Sequence, residues 1–521
     1  MELVRESIIL NKHMGREKSQ LLLEGDIIVP EVKPDIVSIL KTQAKVNISK
    51  VTAGAGRISF SGKLRVDVLY TSNSGEISVH SLSSQAFIDD FLNMEGIEPH
   101  MWVDLKAELA NVDFRIVNDR KINYRAVIDI TSDALENKEF DAVRSIQGLG
   151  AAQQKNAFFT MSNVIAKQMD HFTIRDEVTL PSSKPAISEL LQVSVDIAGK
   201  EVRLAEGRVD VSGNLVISPL YRGGEEGSVI EFADFELPFS GSLEVSAASD
   251  TAFGDVSLSI TDHIIDVVAD TEGLNKILSV EATIGADIKI SQTQSIEILE
   301  DAYCIDQYLN ISAESMEYQH LVCRNRNQFN LKEIVQLSGA PEILQVLQVS
   351  GVARMEDIKV VEDKVVVEGI VEADILFVAN SDTDPLFNYT THLPVRQVIE
   401  TKGATLGMVA QVAHGIDQIN FNMLGSNEVE LRFNLNFDTL IQEAVSAQFI
   451  QEIEFNPLDK EALEALPSMV ILVAEKGDDL WSIAKKYNAD LEELAEINSM
   501  NASDPLTVGQ KLLIVKKVSE V

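Results

Sequence analysis

The chain of 521 residues carries 44 Lys plus Arg against 81 Asp plus Glu, a formal charge of −37, which argues against nucleic acid and anionic membrane surfaces as partners because both require clustered cations. At about 100 to 200 residues per domain this length predicts three to five domains. Apolar residues at 45% and charged residues at 24% exclude a wholly disordered or coiled-coil chain.

The amino-terminal segment has Glu2, Arg5 and Glu6 ahead of a short apolar stretch and offers no secretory h-region. The longest apolar candidate for a membrane span, Met469 to Ala474, falls far short of the about 20 residues a span requires. Direct membrane insertion is therefore not expected. Two cysteines, Cys304 and Cys323, are too few for a disulfide framework and point to a reducing compartment.

Internal repetition organises the chain. Residues 30–70 align without a gap on 181–221, placing Pro34 on Pro185, Gly62 on Gly213 and Tyr70 on Tyr221. A third copy has Pro341, Gly369 and Phe377 in the matching places. After each proline, apolar residues fall at i, i+3 and i+4 (Ile36, Ile39, Leu40; Ile187, Leu190, Leu191; Ile343, Val346, Leu347), which predicts a short helix begun by the proline. Strict alternation follows: Ile58, Phe60, Gly62, Leu64, Val66, Val68, Tyr70 in the first copy, with equivalents at 209–221 and 365–377, and it predicts a long strand. A glycine on the inward face marks a bulge or a close backbone approach. Pro219 suggests a sheet edge in the second copy. Weaker alternating runs complete each unit. The fold expected is mainly β: three tandem, sandwich-like repeats, each with a short helix, at residues 1–150, 165–295 and 323–450. Connectors are expected near 141–168 and 294–325.

These residues carry a family resemblance. VPEVKPDIVSIL with FSGKLRVDVLY, and LPSSKPAISELL with VSGNLVISPLY, resemble the SPOCS domain of endospore-forming Firmicutes. The third copy departs from the pattern at Leu337 and Phe377. The resemblance implies a structural family without catalytic residues, so Pro34, Gly62, Tyr70, Pro185, Gly213, Tyr221, Pro341, Gly369 and Phe377 read as structural positions.

A helix-prone acidic linker, Asn456 to Pro467, precedes a last unit at 468–517. Its pattern predicts strand, helix, helix, strand: Asp478 and Asp479 are N-cap candidates, Leu480, Ile483, Ala484 and Tyr487 form one face, and Asp490 with Glu493 opens a second helix. Gly477-Asp478 with Leu480-Trp481-Ser482-Ile483-Ala484, then Asn498, then Gly509-Gln510-Lys511-Leu512 make this segment similar to a LysM domain, with Asp479 where that family usually has threonine. The resemblance implies a glycan groove between the loops 477–480 and 501–506. Gly477, Asp478, Asp479, Leu480, Trp481, Tyr487, Asn501 and Leu506 are the candidate binding residues for a protein partner or a glycan. Trp481 lies on the shoulder of the apolar face, a place from which it can cap the small core, present an anchor to a partner, or do both.

The order of SPOCS repeats before a LysM unit resembles the SpoIVA-interacting coat morphogenetic proteins of clostridia. That resemblance implies a non-enzymatic scaffold of the spore coat, working in the mother cell cytoplasm at the forespore surface and docking through LysM onto a SpoIVA-like coat ATPase. Other coat proteins, self-association and peptidoglycan are further candidate partners, and an N-acetylglucosamine-binding role at cortex or wall is the alternative. No cofactor is expected: His13, His80, His100, His171, His263, His320, His392 and His414 show no metal-ligand spacing, and no nucleotide or nucleophile motif occurs.

Overall fold

A computed structural model describes residues 2–73, 79–148, 152–224, 229–381, 386–457 and 469–515. The first repeat runs through β1 (Glu2–Ile28), β2 (Ser38–Gly54), β3 (Arg57–Thr71), β4 (Val79–Asn93), β5 (Trp102–Asn118) and β6 (Lys121–Gln147). It forms two three-stranded antiparallel sheets, β2-β3-β4 and β1-β6-β5. The second repeat comprises β7 (Ala152–Thr179), β8 (Ile187–Ala205), β9 (Arg208–Gly223), β10 (Val229–Phe232), β11 (Phe235–Glu244), β12 (Phe253–Ala269) and β13 (Asn275–Cys304). The third comprises β14 (Gln307–Gln336), β15 (Ile343–Val361), β16 (Lys364–Ala379), β17 (Leu386–Glu400), β18 (Val409–Gly425) and β19 (Glu428–Pro457). Inward residues of the two sheets interdigitate, as Leu64, Val66, Val68 and Tyr70 do with Ile122, Tyr124 and Ala126, the packing expected of a sandwich.

The short helix expected after each proline is absent. In its place the chain enters the edge strand through bulges: register shifts fall at Ile39/Lys41, at Ile187/Glu189 and Leu190/Gln192, and at Ile343/Gln345 and Val346/Gln348. One inserted residue turns a spacing of two into a spacing of three, so a bulged strand reproduces the helical period in sequence. Ile36 and Ile39 face the core of their own repeat, while Leu40 is turned to the other side. There Leu40, Leu191 and Leu347 meet, together with Leu69, Leu220 and Leu376.

The alternating glycines sit opposite a second bulge. A Cβ on Gly62 would lie 2.2 Å from the Asn47 carbonyl oxygen, and one on Gly369 2.2 Å from that of Arg354, next to the shifts at Ile48/Lys50 and Met355/Asp357. Gly213 is less tight, with Ala198 O at 3.0 Å. The tyrosine that ends the motif also has a partner in its proline turn. Tyr70 Oη donates to Pro34 O at 2.9 Å and Tyr221 Oη to Pro185 O at 3.3 Å, whereas Phe377 fills the equivalent place beyond Pro341 without a hydroxyl. Pro219 is not at a sheet edge. It lies in the central strand β9, where the neighbouring strand breaks between β10 and β11, so its missing N–H faces a gap in the ladder.

The segments 141–168 and 294–325, expected as connectors, are instead largely strand. The long strands β1, β6, β7, β13, β14 and β19 each serve two cores. One half belongs to the sandwich, and the other joins a bundle of three ribbons in which Phe140, Phe159, Tyr318 and Phe449 converge with Ile8, Leu10, Met161, Ile298 and Met316. Phe449 is fully buried, 5.3 Å from both Phe140 and Phe159 between ring centroids. The repeats therefore share a core and pack on one another. β4 packs on β8, β10 on β15 and β17 on β2, which closes the three into a ring of pseudo-three-fold character. Quasi-equivalent side chains repeat the contact: Lys167 Nζ donates to Val103 O and pairs with Asp104, and Arg324 donates to Gly254 O. Arg354 closes the ring on Ala110 O at 3.2 Å.

Candidate functional site

The carboxyl-terminal unit consists of β20 (Met469–Val473), α1 (Leu480–Tyr487), α2 (Leu491–Ile497) and β21 (Lys511–Val515), with β20 and β21 antiparallel. The linker Asn456 to Pro467 lies mostly outside the described residues. Asp479 is the N-cap of α1: its carboxylate accepts from Ser482 N at 2.7 Å, and its own amide donates to Ser482 Oγ at 3.3 Å. Burial pulls this carboxyl up, but the bonds from Ser482 outweigh it and hold it below the ordinary value. The carboxylate thus does the capping that a threonine side chain could do. Asp478 instead closes the preceding loop, accepting from Glu475 N at 2.9 Å, and Gly477 holds a φ of +101° in that loop. Asp490 caps α2 by accepting from Glu493 N at 3.0 Å. Asn498 ties α2 to β21 through Leu494 O, Leu513 O and Leu513 N.

The candidate binding residues separate into three groups. Leu480 is only 1% exposed and belongs to the core with Ile483, Ala484, Leu494, Leu512 and Ile514. Its side chain is buried in that core rather than presented to a ligand, as expected of a unit whose core is small. Tyr487 and Leu506 are half-buried against the same core. Gly477, Asp479 and Asn501 are exposed and Asp478 half-buried, on the two loops beside the expected groove.

Trp481 is likewise half-buried against this core, and it also reaches out of the unit. Its indole Nε1 donates to Asp301 Oδ2 at 2.8 Å, and its ring meets Tyr303 edge-on at 5.1 Å. Both partners lie at the end of β13, in the second repeat. Lys485 pairs with the other Asp301 oxygen, Asn488 Nδ2 donates to Cys304 O, Tyr303 Oη donates to Ala489 O, and Gln153 Nε2 donates to Asp490. Burial pushes the Tyr303 phenol up, with the charges of Asp490 and Asp301 adding to it, and the Cys304 thiol up to about 11. One side of α1 is thereby occupied by the platform of repeats. Sequence reasoning missed Asp301 and Tyr303. Their partners lie about 180 residues away, and no local pattern signals such a contact.

Comparison with protein families now bears on this architecture. The family model described as "SipL, SPOCS domain" matches residues 35–117, 186–268 and 342–424, and the LysM domain model matches 473–515. The SPOCS matches cover the inner strands of each repeat and leave outside them the long strands that build the three-ribbon bundle. No curated protein and no solved structure matches the chain significantly. SPOCS and LysM are non-catalytic binding modules, and their combination fits a sporulation coat protein. The chain therefore belongs to the proteins built of SipL SPOCS domains followed by a carboxyl-terminal LysM domain.

Proposed function

We propose that the protein is a non-enzymatic adaptor of spore coat morphogenesis that docks, mainly through its LysM domain, onto a SpoIVA-like coat ATPase. It acts in the mother cell cytoplasm at the forespore surface and promotes coat assembly. The observation that carries this reading is the seating of LysM on the second repeat through Trp481, which turns its opposite surface outward. On that surface Met469, Ile471 and Val473 of β20 are 61%, 68% and 49% exposed, and Val508 is 72% exposed. Apolar exposure of this kind on so small a unit supports a protein-binding role. Capture of the ATPase by the full chain and by its Ile471→Lys variant tests it. Loss of capture with an unchanged circular dichroism spectrum is expected, and undiminished capture refutes LysM docking.

A second reading, binding of N-acetylglucosamine polymers, is favoured by the exposure of both groove loops, which the repeats leave uncovered. Co-sedimentation of the full chain with purified peptidoglycan decides it.

A further inference from the structure

The three repeats present three quasi-equivalent outer strands, β4, β11 and β17, and one equivalent position holds proline in two of them but not in the first. Lys63 pairs with Phe87, Asn214 with Pro238 and Ile370 with Pro394. A proline in an edge strand removes one ladder donor and blocks the addition of a further strand. The second and third repeats are guarded in this way, and the first is not.

In the first repeat the guard is replaced by an apolar surface. Phe87 is 83% exposed and Phe91, on the same face of β4, 52% exposed. The Arg57 guanidinium holds the Phe91 ring from 5.8 Å. Between the two rings stands Asp89, exposed and in no ion pair among the described residues. The Phe91 amide donates to the Asp90 carboxylate at 2.8 Å rather than to β3, so amides on this face point to the open side, and strand geometry repeats that direction at Asp89 and Phe87.

We propose that the outer half of β4, residues 85–93, accepts an extended segment of another protein by strand addition. The segment has the form apolar, any residue, Lys or Arg, any residue, apolar. Its apolar side chains lie across from Phe87 and Phe91 and its cation across from Asp89, the pairing that opposite charges favour on neighbouring strands. A second copy of this chain is a poorer occupant. Self-pairing about Asp89 sets two carboxylates face to face, and two chains of charge −37 repel one another.

The test uses the full chain and a short fluorescein-labelled peptide in which threonine alternates with isoleucine, lysine and isoleucine. Polarisation is expected to report binding, and hydrogen exchange to report slowed amides within 85–93. Phe87→Pro installs the residue that the other two repeats carry, so the sheet is preserved, and it is expected to weaken binding at least about tenfold. Asp89→Lys is expected to weaken it as well, and replacing the peptide lysine by glutamate to abolish it. Absence of binding, binding insensitive to Phe87→Pro, or protection elsewhere overturns the proposal. Self-association abolished by Phe87→Pro, without peptide binding, overturns the stated occupant in favour of a second copy.

Discussion

The indole of Trp481 and the carboxylate of Asp301, 2.8 Å apart, join the LysM domain to the second SPOCS repeat. Asp301 also receives Lys485, so the pair forms part of a charged, partly buried contact rather than a loose surface touch. Hydrogen bonds to charged groups contribute about 1.5 to 3 kcal/mol. A double-mutant cycle of Trp481→Phe with Asp301→Ala should therefore show coupling of at least about 1 kcal/mol in LysM unfolding. Additive effects would mean that the two residues do not act on one another in solution.

The hydroxyls of the repeat tyrosines supply a graded comparison. Tyr70→Phe removes a bond of 2.9 Å to Pro34 O and should cost about 1 kcal/mol, while Tyr221→Phe removes a longer one of 3.3 Å and should cost less. Chemical denaturation of the two variants checks the order. The third repeat carries phenylalanine there already, so its turn lacks this side-chain bond, and the buried Phe377 ring shares a core with Leu337 and Ile343 of the turn.

Glycine positions rank by the atoms they face. A Cβ at Gly62 or Gly369 would meet a backbone oxygen at 2.2 Å, which cannot retreat without breaking the bulged ladder. Gly62→Ala and Gly369→Ala are expected to destabilise by about 3 kcal/mol or more, and Gly213→Ala, with contacts of 3.0 to 3.1 Å, by distinctly less. Midpoints of urea unfolding measure this; equal effects at all three positions would contradict the close-approach explanation.

Lys41 crosses from the first repeat into the third, donating to Gln348 Oε1 at 3.1 Å and Ser350 Oγ at 3.0 Å. Burial lowers its pKa from 10.5 to about 8, with Asp374 partly opposing. Between these two values the unfolded chain binds the proton and the folded chain releases it, so this group raises stability as pH rises from about 8 to 10.5. Its equivalents in the other repeats, Gln192 and Gln348, are neutral. The stability of wild type relative to Lys41→Gln should therefore improve across that window, by an amount on the order of 2 kcal/mol, as followed by denaturation at stepped pH. A pH-independent difference would show that Lys41 keeps its ordinary pKa.

Much of the fold was legible because its inner strands keep strict alternation: Ile58 to Tyr70 reads as a strand and is one. The motif after each proline was misread because bulges at residues such as Leu40 and Leu347 imitate the spacing of a helical face. The bundle of three ribbons was hidden for a related reason. Strands such as β1 and β14 change cores partway along, at the shifts His13/Gly15 and Leu321/Cys323, and so break the pattern that marks a strand. In the LysM domain the helix caps Asp479 and Asp490 were visible locally. Trp481 packs against the LysM core, as one of its two readings has it, and is also the joint to the platform, a role that could not be seen without Asp301 and Tyr303.

The central claim is that LysM, held by its α1 side, docks a coat ATPase with the surface that remains. The most direct measurement is the affinity of immobilised full-length protein for a SpoIVA-like ATPase, for wild type and Ile471→Lys, with and without excess N-acetylglucosamine oligomers. The account predicts binding that the Ile471 variant loses by at least about tenfold and that the sugar leaves unchanged. Equal binding by both proteins, or displacement by the sugar, would contradict it.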